Sequence, residues 1–157
     1  MGDDAIVKFI HDKTAAPYFS NLVWFIGNNV LMMERCLRTE ANHLTRNKLE
    51  SLVALHLDDM HYVHDILLLQ MKTLNGMLCE HLLNTLLIPL YVYSLDPSLK
   101  VDSPQVSVKC ALFLLSQVFI ILNHPPLVKQ LKLYICFEEN PNLVSWQTMT
   151  CIVQFTM

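Results

Sequence analysis

Apolar residues recur along this chain in steps of three and four, the spacing that gathers side chains on one face of an α-helix. The clearest run is Leu49, Leu52, Val53, His56, Leu57, Met60, Val63, His64, Leu67 and Met71. Turned by about 100° per residue, these positions form one stripe, with Asp58 and Asp65 on the far side. A long amphipathic helix over 49–71 follows, with Asn75-Gly76 punctuating its end. Upstream, Pro17 fits the first turn of another helix, in which Tyr18, Leu22, Phe25 and Ile26 repeat at helical spacing. Gly27-Asn28-Asn29 is expected to end or kink it before Val30 to Leu37 resume an apolar face. A short helix over 4–11 precedes it, and the polar stretch 39–48 reads as a loop or the exposed start of the next helix.

Downstream the pattern grows more apolar. A fourth helix is expected from Met77 to about Tyr93, kinked or ended by Pro89, which lacks a backbone donor. Asp96-Pro97 and Ser103-Pro104 mark a polar loop. A fifth helix, 104–123, is apolar on almost every face and is therefore expected to be central. Pro125-Pro126 stops it, and 127–136 adds one or two further turns. Residues 137–157 lose helical spacing, mixing Asn140-Pro141 and Trp146 with a β-prone end. The chain thus divides into a helical unit over 1–136 and an irregular tail over 137–157, an all-α fold with no internal repeat of fixed period.

Composition narrows the classes. The 157 residues are 53% hydrophobic and 16% charged, which supplies a core and excludes a disordered tail. Only 3 glycines occur, arguing against hairpin-rich folds and phosphate loops. A net charge of −3, with Arg35, Arg38, Arg46 and Lys48 interleaved with Glu34, Glu40 and Glu50, gives no footprint for nucleic acid and reads as a solvated face. The 5 cysteines are odd in number and widely spaced, without a CxxC pair, as reduced thiols in a helical core would be. That pattern, and the lack of an Asn-X-Ser/Thr acceptor, lean towards the cytosolic side of a membrane. The apolar stretches 82–95 and 111–122 are each interrupted by polar residues or proline and fall short of the roughly 18–20 apolar residues of a span. No transmembrane segment is expected.

One cluster carries candidate chemistry. On a helix His61 lies one turn from both His64 and Asp65, so the three approach a common point where a metal ion would sit. His56 and His64, two turns apart at roughly 12 Å, do not share it. The alternative is ordinary: His56 and His64 as core or groove histidines, His61 at the boundary beside Asp65, or a pH-responsive pairing there. No HExxH, GxSxG or glycine-rich phosphate motif occurs. Cys79-Glu80-His81 places thiol and imidazole two residues apart, on different helix faces. No catalytic residue, metal or cofactor is assigned. Tyr18, Phe19, Trp24 and Phe25 are expected to pack a core, while Tyr91, Tyr93, His61 and Asp65 form the candidate interaction surface. A metal-dependent enzyme using His61, His64 and Asp65 and a small membrane-embedded helical protein are the competing classes.

Several strings are distinctive beyond periodicity. They are Asp12 to Gly27 (DKTAAPYFSNLVWFIG), His56-Leu57-Asp58 with His61-Tyr62, His81-Leu82-Leu83-Asn84, Pro89 to Leu95 (PLYVYSL), Leu114 to Phe119 (LLSQVF) and Pro126-Leu127-Val128. Together they resemble the segment following the FPL domain in the C-type lectin domain family 16 member A family, whose relatives include Ema in flies and Transparent Testa 9 in plants. The resemblance runs over about 5–131 in consistent order and is nearer to animal members. It implies an armadillo-like helical solenoid and a non-catalytic scaffold role in endosome-to-lysosome trafficking, autophagy and mitophagy. Implied partners are trafficking and ubiquitin-ligase-associated proteins, and the implied location is cytoplasmic, peripheral to endosomal and lysosomal membranes. The family's FPL module is not in this chain, His64 departs from the family pattern, and 132–157 does not resemble it. An incomplete gene model, a splice form ending in a foreign exon or a real short product would each explain those departures, and the segment is expected to expose apolar surface and aggregate when expressed alone.

Overall fold

In the computed structural model, which describes residues 8, 11–96 and 104–137, every element among the described residues is helical. A wide π-turn, His11–Ala15, leads into α1, Ala16–Arg38. Pro17 sits in its first turn, where a missing N–H costs nothing. The helix runs through Gly27-Asn28-Asn29 without a break, against the expected kink. The reason is lateral packing: a Cβ on Gly27 would stand 3.4 Å from Leu86 Cδ1, so this glycine marks where two helices cross closely. Phe19, Val23, Ile26, Val30 and Met33 make the buried stripe.

Helix α2, His43–Leu68, starts earlier than the apolar stripe suggested. Asn42 caps it: its side chain accepts from Thr45 N at 2.8 Å, and Thr45 Oγ1 accepts from Asn42 N at 2.9 Å. This reciprocal arrangement satisfies two otherwise orphaned donors. Most of the expected stripe is observed, with Leu52, His56, Met60, Val63 and Leu67 buried and Leu49, Val53, Leu57 and His64 half-buried, but Met71 lies beyond the helix end and is exposed. The chain turns not at Asn75-Gly76 but at 69–71, where Gln70 takes a left-handed φ of 53°. Asn75, already inside the next helix, reaches back and donates Nδ2 to Leu67 O at 2.7 Å, closing the end of α2 with a buried side chain.

The rod α3, Lys72–Leu95, is α-wound to His81, π-wound from Leu82 to Val92, and ends in a tight 3-10 turn. Pro89 lies within the wide winding and does not end the helix, contrary to expectation. A proline cannot donate to the preceding turn, and the π-winding is where that irregularity is absorbed. Leu82, Leu83, Leu86, Leu87, Ile88, Leu90, Tyr91 and Val92 are all buried, and α1, α4 and α5 pack around them.

Helix α4, Val108–Ile121, was the expected centre but is not. It buries Cys110, Ala111, Leu114, Leu115, Val118 and Ile121 while Phe113 and Ile120 are exposed, so it is a flank. Ser94 stitches its approach to α3: its hydroxyl donates to Leu90 O at 2.6 Å and accepts from Val106 N at 3.0 Å. Helix α5, Pro125–Phe137, is a full element and not a turn or two, and Pro125-Pro126 open it instead of merely stopping α4. Leu127 and Leu131 bury it against α3. The short helix expected over 4–11 lies almost wholly outside the described residues, as does the tail beyond 137.

By length and composition α3 is long and apolar enough to cross a membrane, a property the interrupted sequence pattern did not suggest. Within the fold, 67% of its most apolar window is buried by other helices, as in a core helix.

Candidate functional site

Two places concentrate polar or aromatic chemistry, one inside the helical layer and one outside. The inner one begins with α1, whose buried stripe is interrupted by Asn29 and Glu34. Asn29 Nδ2 donates to Asp59 Oδ2 of α2 at 3.3 Å. Burial pushes the Asp59 carboxyl up, the Asn29 bond opposes this, and neighbouring Asp58 adds to it. Glu34 accepts from Arg38 Nε at 2.8 Å and from Ser107 Oγ at 2.9 Å. Desolvation would raise its pKa, but the bonds from Ser107 and Arg38 outweigh it and hold the carboxyl below its ordinary value. Ser107 also caps α4, so the Glu34 carboxylate lies at the positive end of that helix. The sequence placed Glu34 on a solvated face; it is 5% exposed because Ser107 and Arg38 satisfy it.

His56 and Tyr91 fill the same layer. Both are 0% exposed, and their rings meet edge to face at 6.4 Å and 60°. Neither nitrogen of His56 nor the Tyr91 hydroxyl has a hydrogen-bond partner among the described residues. Burial alone brings His56 down to about 4; burial first, then the nearby Cys110 and Asp59, push the Tyr91 phenol well above its ordinary value. Tyr91 therefore does not belong to an interaction surface. Its partner in that expectation, Tyr93, is half-buried, while His61 and Asp65 are exposed on α2.

The expected metal cluster does not assemble. His61 is exposed, whereas His64 is half-buried with Nδ1 enclosed, and no three His, Cys, Asp or Glu side chains converge among the described residues. The thiol of Cys79 is buried and pushed up to about 11 by desolvation, which leaves it protonated and a poor nucleophile. Cys110 is alike, raised to about 11 by desolvation and then by Glu34.

The outer feature is an aromatic face on α1. Of the four aromatic residues expected in the core, only Phe19 is there, 4% exposed; Tyr18 is 46%, Trp24 66% and Phe25 43% exposed. The stripe Phe19, Val23, Ile26, Val30, Met33 already fixes the inner face, and stepping round from it would have placed Trp24 and Phe25 outside. Tyr18 shares a hydrogen bond between hydroxyls with Tyr62 of α2, which raises its pKa. Beside Trp24 lies a groove of about 300 Å³ lined also by Gly27, Leu31, Pro89, Leu90 and Pro104. A wider cleft of about 1090 Å³ separates the α2–α3 turn from α5, between Leu68, Asn75, Asn84, His124 and Tyr134. The groove beside Trp24 is mainly apolar, whereas the wider cleft adds Lys72, Glu80 and His124 to its apolar and amide lining.

The family model for the CLEC16A helical domain matches residues 44–147. Protein CLEC16A of Mus musculus is 50% identical over 132 residues, covering 83% of this chain and 13% of that protein. Its Homo sapiens counterpart is likewise 50% identical over 132 residues, with 83% and 12% covered. The CLEC16A homolog of Drosophila melanogaster is 45% identical over 152 residues, with 81% and 14% covered. The chain therefore spans only about an eighth of the length of these relatives. No solved structure matches. A family model matched over most of the chain means that the chain belongs to the CLEC16A family.

Proposed function

We propose that this chain is a non-catalytic scaffold segment of an armadillo-like helical array, acting through protein partners in endosome-to-lysosome trafficking and in autophagy and mitophagy. The observation that carries the reading is the exposed aromatic face of α1 on a chain of this family. Tyr18, Trp24 and Phe25 are large, rigid and partly polar, the residue types that dominate the energetics of protein interfaces. Trafficking and ubiquitin-ligase-associated proteins are the proposed partners, met in the cytoplasm at the surface of endosomal and lysosomal membranes. The buried, protonated thiols and unassembled histidines favour binding over catalysis.

Cell fractionation tests this. The tagged chain should sediment with endosomal membranes and be released by carbonate, as a peripheral protein is. The double substitution Trp24→Ser, Phe25→Ser should cut that association several-fold while leaving the helical circular dichroism unchanged, because both side chains are exposed. Resistance to carbonate would instead favour a membrane-embedded α3, and equal association of the double variant would remove α1 as the docking face.

A further inference from the structure

The wide cleft between the α2–α3 turn and α5 brings exposed apolar side chains to face one another. Leu68 stands on one side and Leu133 and Tyr134 on the other, and the buried Leu67 and Leu83 are also in the lining. Apolar groups gathered in this way mark a surface that another segment covers. Helix α5 forms one wall and ends at Phe137. Leu133 and Tyr134 are only about 5–6 Å from that end along the helix axis, so the chain leaves α5 at the rim of the cleft.

The segment that follows lies outside the described residues, and its sequence supplies an occupant. The match to the family's helical domain runs to residue 147, beyond Phe137, so that domain continues past α5. Residues 138–142 are polar and contain Asn140-Pro141, a turn-forming dipeptide. Leu143, Val144 and Trp146 come directly after. The stretch from Phe137 to Leu143 reaches up to about 20 Å when extended, enough to double back over the last two turns of α5.

We propose that residues 143–147 fold back into this cleft, where Leu143, Val144 and Trp146 cover Leu68, Leu133 and Tyr134, so that the helical layer is closed by its own continuation. Tethering favours this occupant over a separate molecule, because a short linker holds it at an effective concentration on the order of millimolar. Lys72 on the cleft wall is opposite in sign to the Glu138-Glu139 pair that opens the segment, but Glu80 on the same wall is like in sign. Apolar contact, and not charge, therefore carries the docking. The inference stands apart from the trafficking reading, because it needs none of the aromatic face of α1.

Tryptophan fluorescence tests it on the full chain carrying Trp24→Phe, which leaves Trp146 as the sole reporter. Trp24 is exposed, so this change spares the core. Trp146 should emit at the short wavelengths of an apolar site and be quenched by acrylamide several-fold less than free tryptophan, at every protein concentration. Leu133→Asp should move the emission to the red and restore quenching. Ile120→Asp, at an exposed position of α4 away from the cleft, should change neither. Three results would each overturn the proposal: quenching of Trp146 as free as that of the amino acid, burial that survives Leu133→Asp, or burial that appears only as concentration rises, since a second copy then supplies the segment. Should Leu133→Asp fail to fold, hydrogen exchange on the parent chain and on Trp146→Ser decides. Amides of 130–136 should exchange several-fold faster in Trp146→Ser, and equal protection sinks the idea.

Discussion

Gly27 offers the sharpest test of how α1 packs. Sequence pattern alone makes it a break, and a break would make Gly27→Ala harmful. The structure argues the reverse. Gly27 is in the middle of a continuous 23-residue helix, with no positive φ among the described glycines. Replacing glycine by alanine in a helix interior gains about 1 kcal/mol from propensity and from the lower entropy of the unfolded chain. The opposing term is the added Cβ, which would meet Leu86 Cδ1 at 3.4 Å. That is the near edge of ordinary van der Waals contact with the end of a flexible side chain, so a shift of a few tenths of an ångström relieves it. Propensity should win, and Gly27→Ala should stabilise by about 0.5–1 kcal/mol, raising Tm by roughly 1–4 °C for a chain of this size. Gly27→Leu places further carbons where Leu86 sits, 1% exposed and unable to move away, and should destabilise by about 1–3 kcal/mol. Urea and thermal unfolding followed by far-UV circular dichroism measure both. A loss of more than about 1 kcal/mol in Gly27→Ala would show that Leu86 does not yield to the added Cβ and would refute the claim that propensity wins.

Three further outcomes follow from named features. For His56, the folded pKa of about 4 lies below the unfolded value of 6.5. The unfolded state therefore binds more protons between those values, and stability falls as pH drops through that window, by about 3 kcal/mol in all. Denaturant midpoints of the parent chain and His56→Phe across that range check it, and a constant difference between the two would contradict it. Gln70→Gly should stabilise by about 0.5–1 kcal/mol, since φ of 53° is strained for glutamine and free for glycine; Gln70→Val should lose more than that. Tyr91→Phe removes a buried hydroxyl with no partner among the described residues and should be neutral or stabilising by up to about 1 kcal/mol, so a loss of that size would reveal a hidden partner.

The helices themselves were legible because a stripe with a period near 3.6 leaves little choice of face. The α2 stripe is the example: Leu52, His56, Met60, Val63 and Leu67 were picked out by spacing and are the buried set. Boundaries were harder, because they depend on contacts between elements. Asn75-Gly76 looks like a stop, yet Asn75 works from inside α3 by bonding Leu67 O across the turn. Pro89 looks like a break, yet the π-winding of α3 carries the chain past it. Neither device has a local sequence signature. The candidate site fared similarly. Asp65 was placed on the far side of the stripe and His61 at its boundary, and both are exposed, whereas Tyr91 was wrongly expected at a surface, because the chain around it is apolar on every side and offers no phase. The buried state of Glu34 required Ser107, 73 residues away, which no periodicity connects to it.

The polar bonds inside the layer also decide what the outside presents. A helix packed only through an apolar stripe is free to rotate by some tens of degrees at little cost, since Leu, Ile and Met contacts are exchangeable. Two directional bonds remove that freedom from α1: Asn29 to Asp59 ties it to α2, and Glu34 to Ser107 ties it to the start of α4. They attach at positions five residues apart, on different neighbours, so the rotation of α1 about its axis is fixed. Trp24 and Phe25 are on the same helix, so those two part-buried bonds help to set their orientation, while Tyr18 is also tied to Tyr62 of α2. Loss of either bond should blur the outer aromatic face without unfolding the chain, which couples the inner layer to any partner that docks outside.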